Sequence, residues 1–199
     1  MAEKTSKSIE KMHRKLLIVG LWLLSMTAAA QPKTYHGDGP DDVLRLVPVA
    51  SVFALKACGV EGDSSWKRLL VNTTASMMLS SGTTWSLKHM VKEERPDATD
   101  RHSFPSGHAT IAFAGAHILY KEYGHRSAWY PVAGYAVATA VGVDRVCRNR
   151  HHWYDVAAGA AIGILGTEAG YWLGDKITGE RSRYNVAVGP QMVAVTIHF

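Results

Sequence analysis

The sequence predicts an all-α bundle of about six transmembrane helices. Two observations predict it: apolar segments recur along the chain, and glycines recur at helical spacing in the last of them. The apolar segments are residues 16–30 ("LLIVGLWLLSMTAAA"), Asp41–Val60, Lys67–Val91, Gly107–Gly124, Trp129–Val143 and Tyr154–Gly174. None is an unbroken run of twenty apolar residues, so no single segment settles the matter. The glycines do more. Gly159 and Gly163, then Gly166, Gly170 and Gly174, are four residues apart within each set. A glycine costs a soluble helix about 1 kcal/mol relative to alanine. Between membrane helices the same residue lets two backbones approach closely. Glu168 lies in this segment and is expected to face other helices rather than lipid.

Taken in order, the first segment follows Lys4, Lys7, Lys11, Arg14 and Lys15 and ends in small residues. That is the pattern of a secretory signal peptide or of a retained anchor helix over residues 1–30. Either places the chain just beyond residue 30 outside the cytoplasm. If the helices alternate with the basic terminus inside, Lys88–His108 and Arg145–His152 both fall on the outer side. The tail, residues 175–199, differs: Val186 and Val188, then Val193, Val195 and Ile197, alternate around a Gly-Pro pair. A short hairpin is expected there.

The net charge is only +5 and the basic residues are spread along the chain, so nucleic acid is not an expected partner. Cys58 and Cys147 are too few for a disulfide framework and belong to no zinc-type pair. Unpaired thiols are expected.

Three clusters carry chemistry. In "KHMVKEERP", Lys88 and Arg95 are seven residues apart, and they share one face if the helix continues. In "PSGH", Pro105 and Ser106 suit the start of a helix, Gly107 lets a ligand approach the backbone, and the free amides there favour an anion. His108 comes directly after Gly107. In "DRVCRNRHHWYD", Arg145 precedes His151, and Asp155 is four residues beyond. An i, i+4 pair shares a helix face, so the carboxylate can fix the ring's tautomer and leave the other nitrogen free to act. Each cluster alone also reads as solvated charge, a helix cap or a surface ion pair. The basic residues Arg101, His102, Arg148, Arg150 and His152 read mainly as solvent-facing, with His152 at a helix start.

Together, in this order, K-x6-RP, PSGH and R-x5-H-x3-D resemble the type 2 phosphatidic acid phosphatase (PAP2) superfamily. That superfamily also holds non-specific acid phosphatases and vanadium haloperoxidases. The resemblance covers Lys88 to Asp155, about a third of the chain, and implies a phosphatase domain over residues 41–174. It implies His151 as nucleophile, Asp155 as its orienting carboxylate and His108 as proton donor and later base. It implies Lys88, Arg95, Ser106, Gly107 and Arg145 as the phosphate cradle. No metal and no cofactor are implied, nor does a carboxylate cluster stand out around the motifs. The implied substrate is a lipid phosphate monoester or an isoprenoid diphosphate, and the implied place is a bacterial inner membrane with a periplasm-facing site. The alternatives are a soluble periplasmic acid phosphatase, a vanadate-dependent haloperoxidase and an idle scaffold. One departure stands out: Asp144 occupies the place where the family usually has serine, and it could reorient Arg145.

Overall fold

The structure is a computed structural model that describes residues 39–180, 184–189 and 192–197. The signal or anchor segment expected over residues 1–30 lies outside the described residues. Among the described residues six helices succeed one another: α1 (Asp41–Leu44), α2 (Val47–Ala57), α3 (Trp66–Val91), α4 (Gly107–Tyr123), α5 (Trp129–Cys147) and α6 (Trp153–Thr178). Two antiparallel strands come after them, β1 (Tyr184–Gly189) and β2 (Met192–Ile197), paired in register with Val186 opposite Val195.

The segment Asp41–Val60 is not one helix. It breaks after Leu44, and α2 starts with Pro48 in its first turn. Proline suits that position because it has no N–H to give. Inside a helix its ring would crowd the carbonyl four residues back, which here belongs to Leu44. The break frees α1 to sit separately near the ends of α4 and α5.

Helix α4 is central and touches α2, α3, α5 and α6. Its buried residues go round the whole helix: Ala109, Ala112, Ala114, Gly115, Ala116 and Ile118 among them. Small side chains are what permit so many neighbours. Helix α6 packs through two glycine seams. A Cβ at Gly159 or Gly163 would lie 2.5 Å from the carbonyl oxygen of Ser106 or Thr110 on α4. Gly166, Gly170 and Gly174 meet Ser80, Ser76 and Asn72 on α3. The glycine spacing in the sequence is therefore two separate contacts. The first sets the starts of α6 and α4 side by side, and the second runs α3 antiparallel to α6.

The interior is unusually polar. Helix α3 buries Arg68, Asn72, Thr73, Ser76, Ser80 and Thr84, while Leu70, Met78, Leu79 and Trp85 are exposed. Arg68 is 1% exposed and bonds Asp63 at 2.8 Å and Asp175 at 2.8 and 3.1 Å. Glu122 accepts from Ser64 and Tyr171 beside it. These pairs clasp α3, α4 and α6 at the end of the bundle away from the three motif clusters. A buried charge needs such partners, because desolvation costs several kcal/mol per ion. Glu168 reaches α4, accepting from Lys121 at 2.7 Å and pairing with His117 at 2.6 Å, although about half of its side chain is exposed. Both cysteines are free and exposed.

Among the described residues one helix, α6, is long and apolar enough to cross a membrane. Trp66 and Trp85 on α3 are exposed, as are Trp153 and Trp172 on α6. Each pair is nineteen residues apart, a helical rise of about 28 Å.

The seam at Gly170 generates a test. Its Cβ would meet the Ser76 Cα at 2.5 Å, whereas a Cβ at Gly82 on the same bundle meets nothing within 4 Å. Gly170→Ala should cost about 1–3 kcal/mol by overpacking, seen as a lower thermal midpoint in detergent. Gly82→Ala should not lower it. Equal midpoints for the two variants would contradict the seam.

Candidate active site

The three clusters meet at one end of the bundle. Lys88 stands in the last turn of α3, which stops at Val91, with Lys92 in the left-handed region at φ 49°. The helix does not continue to Arg95, so a shared helix face is not what joins these two residues. Arg95 stands instead on a loop closed on itself: Arg95 N–H bonds the Asp100 carbonyl, and Ser103 N–H bonds the Glu93 carbonyl. The loop carries the His102 and Ser103 carbonyls to Lys88 Nζ, at 2.8 and 3.3 Å. Arg95 is held by Asp100 at 2.8 Å and by the Arg150 carbonyl at 2.9 Å.

Helix α4 starts as expected. Ser106 is the N-cap, its hydroxyl accepting from Ala109 N–H at 3.5 Å. Gly107 lies against Lys88: a Cβ built on it would be 3.9 Å from the Lys88 Cε. The Ser106 N–H bonds the Asp155 carbonyl at 3.0 Å, which ties α4 to the start of α6.

His151 is not on the helix. Helix α6 begins at Trp153 with His152 as N-cap, so the i, i+4 pair forms by a different route. The Arg145 carbonyl accepts the N–H groups of both Arg150 and His151, and Asn149 turns at φ 54°. This knot folds His151 back over α6. Its Nδ1 lies 3.4 Å from Asp155 Oδ2 and its Nε2 lies 3.2 Å from an Arg95 guanidinium nitrogen. Asp155 is fully buried, and the same Oδ2 accepts from Ser103 at 2.5 Å and from His152 N–H at 2.9 Å.

Burial drives the His151 pKa down to about 4, helped by Arg95, Lys88 and Arg145 and opposed by Asp155. The neutral ring is favoured near pH 7, with its Nε2 lone pair turned to Arg95. Arg95 touches the ring directly, at 3.2 Å, and Lys88 and Arg145 lie near enough to disfavour its protonated form.

On the other side of Arg145 the structure supplies residues that the sequence did not single out. Asp41, fully buried, accepts from Arg145 at 2.5 Å and from Arg148 at 2.7 Å. Arg145 Nε has no hydrogen-bond partner among the described residues. His108 Nε2 is 2.7 Å from Asp42, 3.0 Å from Arg45 and 3.5 Å from Asp41. Burial lowers the His108 pKa, against a hydrogen bond to Asp42 that raises it. The only signal in the sequence was a pair of aspartates after Gly-Pro, which reads equally as ordinary first-turn acids.

Two expectations are corrected. Arg148 and Arg150 do not simply face solvent: Arg148 pairs with Asp41 and Arg150 with Asp97 at 2.7 Å. Acidic groups do gather beside the motifs. Asp41, Asp42 and His108 come close enough to hold an ion, as do Glu93, His152 and Asp155. The first group is already engaged by Arg45, Arg145 and Arg148. Asp144 lies 3.7 Å from Arg148, and Arg145 is turned by Asp41 rather than by its neighbour.

The structure is thus a helical bundle that gathers the three motif clusters at one end, with His151 between Asp155 and Arg95. The chain belongs to the PAP2 superfamily, whose family model matches residues 69–178. It is 43% identical over 146 residues to a lipid A 1-phosphatase of Porphyromonas gingivalis, covering 73% of this chain and 33% of that protein. It is 38% identical over 73 residues to lipid phosphate phosphatase 2 of Arabidopsis thaliana, covering 31% of this chain and 25% of that one. The chain thus spans about a third or less of the length of these relatives. The crystal structure of Aquifex aeolicus LpxE shares the fold, with a TM-score of 0.52 and 20% identity over 67% of this chain and 87% of that one.

The low His151 pKa generates a pH prediction. The acid limb of kcat/KM reports the free enzyme's essential base. If His151 is that base, the limb, corrected for the substrate's own ionisation, should lie near pH 4. A limb near the ordinary histidine value of about 6.5 would contradict a buried, desolvated His151.

Proposed function

We propose that the chain is a metal-independent phosphatase that removes a phosphoryl group from a membrane lipid through a phosphohistidine on His151. One observation carries the reading: the buried His151 faces Asp155 through Nδ1 at 3.4 Å and turns its Nε2 to Arg95 at 3.2 Å, with Lys88 and Arg145 near enough to disfavour its protonated form. In the first step the Nε2 lone pair attacks phosphorus and the bond to the leaving oxygen breaks. His108 gives that oxygen a proton. In the second step His108 takes a proton from water, water attacks phosphorus, the P–N bond breaks and inorganic phosphate leaves. Lys88, Arg95 and Arg145 hold the three equatorial oxygens, with Ser106 and the Gly107 amide beside them. Fixed positive charge of this kind stabilises the transition state and costs no reorganisation when charge develops. The unpartnered Arg145 Nε is a donor kept for that purpose.

The lipid substrate and the membrane setting are supported by physical features of the fold. Helix α3 turns its polar side inward and leaves large apolar side chains outside, the reverse of a soluble helix. The exposed tryptophans form two levels. Trp85 and Trp153 lie at the site end, and Trp66, Trp129 and Trp172 at the other. Tryptophan concentrates at membrane interfaces, and the rise of about 28 Å matches a hydrocarbon thickness of about 30 Å. Lys88 lies one turn beyond Trp85, which supports a cradle at headgroup level. The similarity to a lipid A 1-phosphatase points to a phosphorylated lipid as substrate. A periplasm-facing site in an inner membrane is the reading that the alternation of helices and the basic N-terminal residues support.

The test is phosphate release by the purified full chain in mixed micelles, with phosphatidic acid, phosphatidylglycerophosphate, lipid A and undecaprenyl diphosphate. At least one should be hydrolysed, with activity retained in excess EDTA and lost in folded His151→Ala by several orders of magnitude. Release from none of them, or activity restored only by added divalent metal, would contradict the reading.

A further inference from the structure

We propose that α1 and its C-cap residue position His108 in both of its protonation states: Asp42 holds Nε2 when that atom carries a proton, and Arg45, the C-cap, holds the same atom when it does not. The inference rests on the reading of His108 as the group that first gives and then takes a proton. Its ground is a conflict at one atom. Nε2 lies 2.7 Å from Asp42 Oδ1 and 3.0 Å from an Arg45 guanidinium nitrogen. An ionised carboxylate can only accept, so the Asp42 bond needs a proton on Nε2. A guanidinium can only donate, so the Arg45 bond needs a lone pair there. The two bonds cannot form together at full strength, and each suits one state of the ring.

Both partners are themselves held, which separates them from a mobile surface pair. Asp42 Oδ2 accepts from Gly39 N–H at 3.2 Å, and Arg45 Nε donates to the Asp42 carbonyl at 3.1 Å. Their direct approach is longer, 3.6 Å. Helix α1 is anchored in turn by Asp41, which bonds Arg145 and Arg148. The charged groups facing His108 are thus Asp41 and Asp42 from α1, Arg45 from its C-cap and Arg145 from α5. The two aspartates favour the protonated ring and the two arginines disfavour it. Such a balance suits a residue that must be an acid in one step and a base in the next. It is also reached without placing Asp42 or Arg45 on the phosphoryl group, so both are positioning residues.

The experiment uses the full chain in detergent, with 15N-labelled histidine. The His108 resonance is assigned by its loss in His108→Gln, and its titration is followed in wild type, Asp42→Asn and Arg45→Gln without substrate. Asp42→Asn should move the His108 midpoint to lower pH and Arg45→Gln should move it to higher pH. Asp42→Glu, which keeps the charge, should stay with wild type and stands in if the Asn variant does not fold. With dioctanoyl phosphatidic acid, or whichever lipid of the panel wild type hydrolyses, kcat should fall about tenfold or more in each charge-removing variant. KM should change far less. Shifts in the same direction, or no shift in either folded variant, would overturn the proposal. If wild type turns over and the shifts are absent, only the α1 proposal falls. If the shifts are opposite and wild type releases no phosphate, the coupling of α1 to His108 stands and the phosphatase reading fails.

Discussion

The site is built around the carboxylate of Asp155. Its Oδ2 takes the Ser103 hydroxyl and the His152 N–H and faces His151 Nδ1, while its backbone carbonyl takes the Ser106 N–H. One residue thereby joins all three clusters. Ser103 belongs to the loop that holds Lys88 and Arg95, Ser106 starts α4 ahead of His108, and His152 starts α6. A carboxylate that is 0% exposed keeps its charge only where donors repay its desolvation, and these donors are the elements that must be brought together. The stability of the buried charge and the assembly of the site are one requirement.

That requirement reaches into the helices. Asp155 can meet Ser106 only if α6 and α4 start side by side, and Gly159 and Gly163 allow the backbones that close. The second seam, on α3, fixes how far Lys88 projects. The inward polar row of α3 and the clasp of Arg68 with Asp63 and Asp175 hold the far end. A fold with small and polar contacts inside and large apolar side chains outside gains little from burial in water. It is consistent with hydrocarbon as the outer solvent, where close packing and interhelical hydrogen bonds do the holding. Burial within the protein is what disfavours the protonated His151 ring.

The helices were legible in the sequence because their apolar character and glycine spacing are local properties. The break between α1 and α2 was not read, although Pro48 marked it. The triads Lys88–Arg95–Arg145 and His108–His151–Asp155 could be named from motif order, but their geometry could not. The helix was expected to carry Arg95 and His151, and in both cases a loop does so. Lys92 and Asn149 turn through positive φ without being glycine; lysine gives no sign of such a turn, whereas asparagine is a residue type that adopts it more readily. Asp41, Asp42 and Arg45 escaped because their roles depend on contacts across more than sixty residues of chain. Nothing local separates them from ordinary helix-start charges. The tail's alternation, by contrast, lies along the paired strands β1 and β2.

The central claim is that phosphorus is bonded to His151 during turnover. The direct measurement is rapid quench of the enzyme in steady state with a lipid labelled in its phosphoryl group, in alkali, where a phosphohistidine survives. The account predicts label on the peptide that contains His151, at that ring, and none in His151→Ala. Steady turnover with no labelled histidine, or with the label on another residue, would contradict it.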